Sequence, residues 1–325
     1  MSKQFNALVV DDQSGFSCQT QPVGFDFLTE SEVLIEVEFS SLNYKDALAV
    51  TNKGKIVKQF PFIPGIDLAG IVVESKNESF KKGDRVIATG FGIGERYFGS
   101  YSQYVWAKSE WLTHLPDNIS TEDAMFIGTA GFTAMLCVDA LIENNTKPTG
   151  ADVLVSGASG GVGSYAVIIL SELGFNVSAM STQNTDYLQR LGVKNILSTA
   201  QFSEKGKPLD SQKWAGAIDV VGGNILANIL SQMNYGAAVA ACGLAGGFKL
   251  ETTVMPFILR GVKLIGIDSV YYPADQRAQV WQKLAKMMNA FNTSITKQFI
   301  TLEELPAIAE FMLRGNINGR VLVRL

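Results

Sequence analysis

The chain has 325 residues, 47% hydrophobic and 18% charged, which excludes intrinsic disorder and, at roughly 150 residues per domain, favours two domains over one. Lys and Arg number 27 against 31 Asp and Glu, so the net charge is -4 and no basic excess exists to neutralise nucleic acid. Three dispersed cysteines, Cys18, Cys137 and Cys242, suit a reducing compartment, and one histidine, His114, leaves a catalytic zinc hard to build.

Met1 to Asp12 lacks the basic flank and apolar run of a secretory signal, and no stretch reaches the ~18 apolar residues of a membrane span. A cytoplasmic protein without a membrane partner is expected. In the first third, Ala7-Leu8-Val9-Val10 is a short apolar run, and Val33 to Phe39 partly alternates inward and outward residues, as strands do. Pro61, Pro64-Gly65, Lys82-Gly83-Asp84 and Gly90 to Gly99 interrupt every apolar run, so no long helix is expected between about residues 50 and 105. Thr121-Glu122-Asp123 then reads as a helix start, leading into the apolar segment Ala124 to Leu141.

From residue 150 the pattern alternates. Strands are expected at Val153 to Ser156, Asn176 to Met180, Ile218 to Val221 and Ala237 to Cys242, separated by helix-length segments such as Gly163 to Leu173. Short, nearly continuous apolar strands alternating with helices imply an α/β domain with a doubly wound parallel sheet. Gln276 to Phe291 and Leu302 to Leu313 have helical spacing, and Arg320 to Val323 forms a closing strand.

Four segments carry chemistry. Asp152 to Ser156 runs into Gly157-Ala158-Ser159-Gly160-Gly161-Val162-Gly163 and then into an apolar helix, the strand, glycine turn and helix order of a dinucleotide site. Ala158 replaces the first glycine of that fingerprint, and a lone match of this kind is weak without its flanking elements. After the second strand comes Ser181-Thr182-Gln183, with no carboxylate before Asp186 to repel a 2′-phosphate, which favours NADPH. Ser41 to Asp46 groups an amide, a phenol, an ammonium and a carboxylate behind a strand, which reads either as a site or as a solvated turn. Gly90 to Tyr104 mixes five aromatic residues with glycines, either a substrate wall or a packed surface loop.

These segments together resemble the medium-chain dehydrogenase/reductase superfamily, in its zinc-free quinone oxidoreductase group. Asn43-Tyr44-Lys45-Asp46, Pro64 to Gly70, Gly83-Asp84-Arg85-Val86, Gly128 to Ala134 and Gly157 to Gly163 occur in that family's order, and Met233 to Gly236, Ala240 to Gly247 and Val254 to Arg260 resemble its acryloyl-CoA reductase branch. Zinc members read Gly-His-Glu where this chain has Gly65-Ile66-Asp67, so no metal is expected.

The resemblance implies a GroES-like β-rich catalytic domain, residues 1–124 and 271–325, around a Rossmann cofactor domain, residues 125–270. It also implies a homodimer paired through the strand near Leu264 to Val270. By position it places Asn43 and Tyr44 in catalysis, Tyr44, Leu244 and Ser269 along the nicotinamide, Ser159, Gly160, Gly161 and Val162 at the pyrophosphate, and Ser181, Thr182 and Gln183 at the adenosine ribose. The branch commonly has Gly-Arg at Thr182-Gln183. The implied activity is NADPH-dependent reduction of a 2-enoyl-CoA, with the Asn43 amide or backbone amides holding the thioester oxygen, and Lys45, Lys53, Lys55 and Arg96 as candidates for the coenzyme A phosphates. A quinone reductase with an apolar pocket is the alternative enzyme, and a non-catalytic NADPH-binding protein the alternative of another class.

Overall fold

The computed structural model describes residues 4–181 and 185–325, which divide into two compact units. The first comprises Met1–Thr129, Ser269–Met288 and Thr296–Leu325, and the second Ala130–Asp268 and Asn289–Ile295.

In the first unit, β1 (Gln4–Asp11) and β2 (Ser17–Gly24) form an antiparallel hairpin, with Phe5, Ala7, Leu8 and Val9 of β1 entering the core. Next come β3 (Val33–Leu42), the short helix α1 (Tyr44–Val50), β4 (Asp67–Ser75), β5 (Arg85–Thr89), β6 (Tyr104–Ala107) and β7 (Thr113–His114). Strand β3 pairs antiparallel with β4 and β6, and its alternating Val33, Ile35 and Val37 join Leu68, Val72 and Val86 in one cluster. Among the described residues no α-helix lies between Val50 and Thr121, as the frequent turn residues require.

Helix α2 (Thr121–Glu143) is kinked at Gly128, whose φ of 51° and ψ of -161° are open essentially to glycine alone. Beyond it, the second unit is built on β8 (Asp152–Val155), α3 (Gly161–Glu172), β9 (Asn176–Ser181), α4 (Thr185–Arg190), β10 (Asn195–Ser198), β11 (Trp214–Asp219), α5 (Gly223–Ser231), β12 (Met233–Ala241), α6 (Met255–Arg260) and β13 (Lys263–Gly266). The six strands are parallel in the order β10-β9-β8-β11-β12-β13, the doubly wound arrangement in which strand order reverses between β8 and β11.

Strand β11 ends at Asp219 and not at Val221, because the Asp219 carboxylate turns back to accept the N–H of Gly222 and closes a turn. The apolar pattern did not announce β10, whose Asn195 and Ser198 are exposed at the sheet edge. The chain then forms α7 (Ala274–Lys286), α8 (Met288–Ser294), β14 (Lys297–Ile300), α9 (Leu305–Leu313) and β15 (Arg320–Arg324). The single helix expected over Gln276 to Phe291 breaks at Met287, since α7 belongs to the first unit while Phe291 of α8 packs edge-on against Tyr165 of the second at 4.8 Å. Strand β15 lies between β14 and β3 in the first unit's sheet, parallel to β14 and antiparallel to the end of β3, setting Val321 opposite Leu42.

Candidate active site

In the second unit the chain leaves β8 through Gly157, at φ 56°, and enters α3 with Gly160 as its N-cap. A Cβ at Gly163 would stand 2.3 Å from the Gly157 carbonyl oxygen, so helix and turn approach closely only because position 163 carries no side chain. A Cβ at Gly160 would meet only the Gly157 oxygen, at 3.4 Å, and that face of the turn stays open. The first amides of α3 lack partners within the helix, and with the helix dipole they form an anion cradle, which is what a pyrophosphate requires. Ser159 in the glycine turn and Ser181 at the end of β9 share a hydrogen bond of 3.0 Å.

Ser159, Gly160, Gly161, Val162 and Ser181 are therefore brought together. Leu244 follows β12 and is 63% exposed, whereas Ser269 lies in the other compact unit. Thr182 and Gln183 lie outside the described residues.

The first unit holds a buried polar cluster where β3 runs into α1. Asn43 is the N-cap of α1, and Asp46 in the first turn reaches back to accept the Asn43 backbone N–H at 2.9 Å. The other Asp46 oxygen accepts the N–H of Ile66 at 3.0 Å. Next to Ile66, Asp67 accepts from Ser41 Oγ at 2.7 Å, from Asn43 Nδ2 at 2.9 Å, and from both the backbone N–H and the hydroxyl of Thr129. The kink at Gly128 frees the Thr129 N–H from the helix ladder for this bond. A Cβ at Gly128 would sit 2.6 Å from Asp67 Oδ2 and 2.8 Å from Arg320 Nη2.

Arg320, at the start of β15 and 3% exposed, donates through Nη1 to Asn43 Oδ1 at 3.2 Å and through Nε to the Phe126 carbonyl. Its Nη2 is buried without a protein partner.

Two consequences follow. The Asn43 amide is oriented from both ends: its Nδ2 donates to Asp46 and Asp67, and its carbonyl accepts from Arg320. With its N–H groups directed at carboxylates, the Asn43 side chain orients the start of α1. Second, burial and then the nearby Asp67 charge push the Asp46 carboxyl up to about 7, against the lowering effect of its hydrogen bonds.

Tyr44, the first residue of α1, is 43% exposed, and its hydroxyl makes no hydrogen bond to a described residue. It is the side chain of the motif that faces outward with its polar group free. Lys45 and the exposed Lys53 are held in ion pairs with Glu95 and Glu310, whereas Lys55 and Arg96 are exposed without an ion pair among the described residues.

No local motif in the sequence marks Asp67, Thr129 or Arg320 as members of this cluster. The signal was an arginine opening an otherwise apolar strand and a carboxylate between Gly65-Ile66 and an apolar run, each ambiguous until the sheet brings them together.

The fold and the two sites define a two-unit oxidoreductase of the medium-chain type. The alcohol dehydrogenase GroES-like domain family matches residues 29–117, and the zinc-binding dehydrogenase family residues 161–290. The chain is 48% identical to the probable acrylyl-CoA reductase AcuI of Escherichia coli over 98% of this chain and 99% of that protein. It is 43% identical, over the full length of both, to the putative quinone oxidoreductase YhfP of Bacillus subtilis, whose crystal structure with NAD bound superposes with a TM-score of 0.95. The yhdH oxidoreductase of Salmonella enterica, solved in complex with NADP, is 47% identical and superposes with a TM-score of 0.95 over 98% of this chain and 99% of that one. The chain belongs to the medium-chain dehydrogenase/reductase superfamily.

The zinc of the second family's description does not fit this site. Among the described residues no three His, Cys, Asp or Glu side chains cluster, and the buried Asp46 and Asp67 already accept N–H and O–H donors at both oxygens.

Proposed function

We propose that the protein reduces the activated C=C bond of acryloyl-CoA, or a closely related short 2-enoyl-CoA, to the saturated thioester with NADPH. The end-to-end similarity to the probable acrylyl-CoA reductase of E. coli carries this reading. The relative solved with NADP and the open glycine turn of the second unit support the cofactor.

Bound at α3, NADPH supplies a hydride to the β-carbon, and negative charge then collects on the thioester oxygen as the α-carbon awaits a proton. Tyr44 is the group we assign to that moment: its exposed hydroxyl donates to the developing oxyanion or delivers the α-proton. Asn43, Asp67 and Arg320 hold Tyr44 in place by fixing the first turn of α1. Arg96 and Lys55, the exposed cations of that set held in no ion pair among the described residues, are assigned to the coenzyme A phosphates. The assigned setting is the cytoplasm, and the working unit a homodimer.

Mixing the enzyme and NADPH with acryloyl-CoA, crotonyl-CoA, free acrylate and a quinone, while following the reduced cofactor's absorbance, tests the reading. The expected result is fastest turnover with acryloyl-CoA and weaker turnover with NADH. Quinone turnover exceeding that of both thioesters would favour the second reading, a quinone reductase, for which the name of the B. subtilis relative speaks.

A further inference from the structure

At the switch point of the parallel sheet a serine and a buried carboxylate join two strand ends. Ser156, just past β8, donates through Oγ to Asp219 Oδ1 at 2.6 Å and accepts the Val220 N–H at 3.0 Å. Asp219, the last residue of β11, accepts the Gly222 N–H at its other oxygen at 2.8 Å, and its backbone carbonyl accepts the Cys242 N–H at 2.9 Å. Both side chains are 0% exposed. These bonds fix the turn Val220 to Gly223, whose Val220 side chain lies so near the glycine turn that a Cβ on Gly157 would meet Val220 Cγ2 at 2.5 Å.

A carboxylate buried there loses solvation, and no cation contributes to its environment among the described residues. An apolar residue would fill the same space at lower desolvation cost. What such a residue lacks is the ability to accept the backbone N–H groups of Val221 and Gly222 and the Ser156 hydroxyl at once, and every one of those donors lies at the carboxyl end of β8 or in the turn after β11. Ligands of open α/β sheets bind at this reversal of strand order.

We infer that Ser156 and Asp219 are positioning residues for the cofactor, locking the glycine turn against the Val220 to Gly223 turn so that the crevice is shaped before NADPH arrives. The inference rests on the reading that this crevice takes NADPH. Pre-shaping places its effect on cofactor affinity and leaves the acyl substrate's KM alone.

The test measures NADPH Kd by cofactor fluorescence and steady-state constants for Ser156→Ala, Asp219→Asn, Asp219→Ala and the Ser156→Ala/Asp219→Asn double variant. Each hydrogen bond to the carboxylate is equivalent to about tenfold in Kd. Ser156→Ala should therefore raise the NADPH Kd about tenfold, with the acyl substrate's KM within about twofold of wild type. Asp219→Asn keeps an oxygen for the Gly222 N–H and gains an N–H for Ser156 Oγ, so it should fall between wild type and Asp219→Ala. The double variant should be no worse than about the poorer single variant, because both break one unit. Folded single variants with NADPH Kd within about twofold of wild type, fully additive losses, or failure of all four to fold would each overturn the inference. A wild type that binds no NADPH would instead sink the cofactor reading.

Discussion

Tyr44 and Asp46 stand two residues apart in α1, yet one faces outward and the other is buried, and their testable consequences differ accordingly. Tyr44→Phe keeps the ring and removes only the hydroxyl, so thermal stability and NADPH affinity should match wild type. Single-turnover hydride transfer to acryloyl-CoA should fall about 10²- to 10⁴-fold, the usual loss for one transition-state donor. A rate within about threefold of wild type would remove the hydroxyl from the mechanism. Asp46 predicts a pH dependence of stability. Its carboxyl is raised from 3.8 to about 7 in the folded protein, so between those values the folded state holds a proton that the unfolded state has released. Stability from this group is therefore complete below about pH 4 and is lost as pH rises through 7. Urea unfolding near pH 5 and near pH 8 should show wild type losing about 2–3 kcal/mol more than Asp46→Asn does over that interval. Equal losses in the two proteins would contradict the raised carboxyl.

At the scale of elements, the kink in α2 connects a backbone conformation to the polar cluster. Gly128 both turns the helix and leaves the space in which Asp67 and Arg320 approach, so Gly128→Ala should fail on two grounds. An L-residue at φ 51° is strained, and the added methyl would displace Asp67 or Arg320. The expected loss is more than about 2 kcal/mol of unfolding free energy, measured by denaturant titration, together with a fall in turnover of more than about tenfold. A variant with unchanged stability would show that the kink tolerates a side chain. The glycine turn before α3 follows the same logic at Gly163, where contact with the Gly157 carbonyl requires a bare Cα.

For the whole molecule, the outer edge of the six-stranded sheet bears on assembly. Strand β13 is an edge strand with Leu264 exposed on it, and Val254, Ile258 and Leu259, in the segment that leads into it, are exposed apolar side chains too. In the proposed homodimer a second copy would cover this edge, so sedimentation is expected to find wild type as a dimer and the Ile258→Glu/Leu264→Glu variant as a monomer. A monomeric wild type would refute the assignment.

The sequence by itself determined the α/β class, the position of the glycine turn and the segment Asn43 to Asp46, because these depend on local periodicity and on residue types within a few positions of one another. Only the tertiary structure decided what those residues do. Asp67, Thr129 and Arg320 lie 24, 86 and 277 positions from Asn43, and their side chains meet because β3 pairs with β4 and β15 while α2 kinks beside them. The same pairing buries Asp46 and commits the Asn43 amide, which spacing along the chain cannot register, since hydrogen-bond partners and desolvation are properties of the packed molecule.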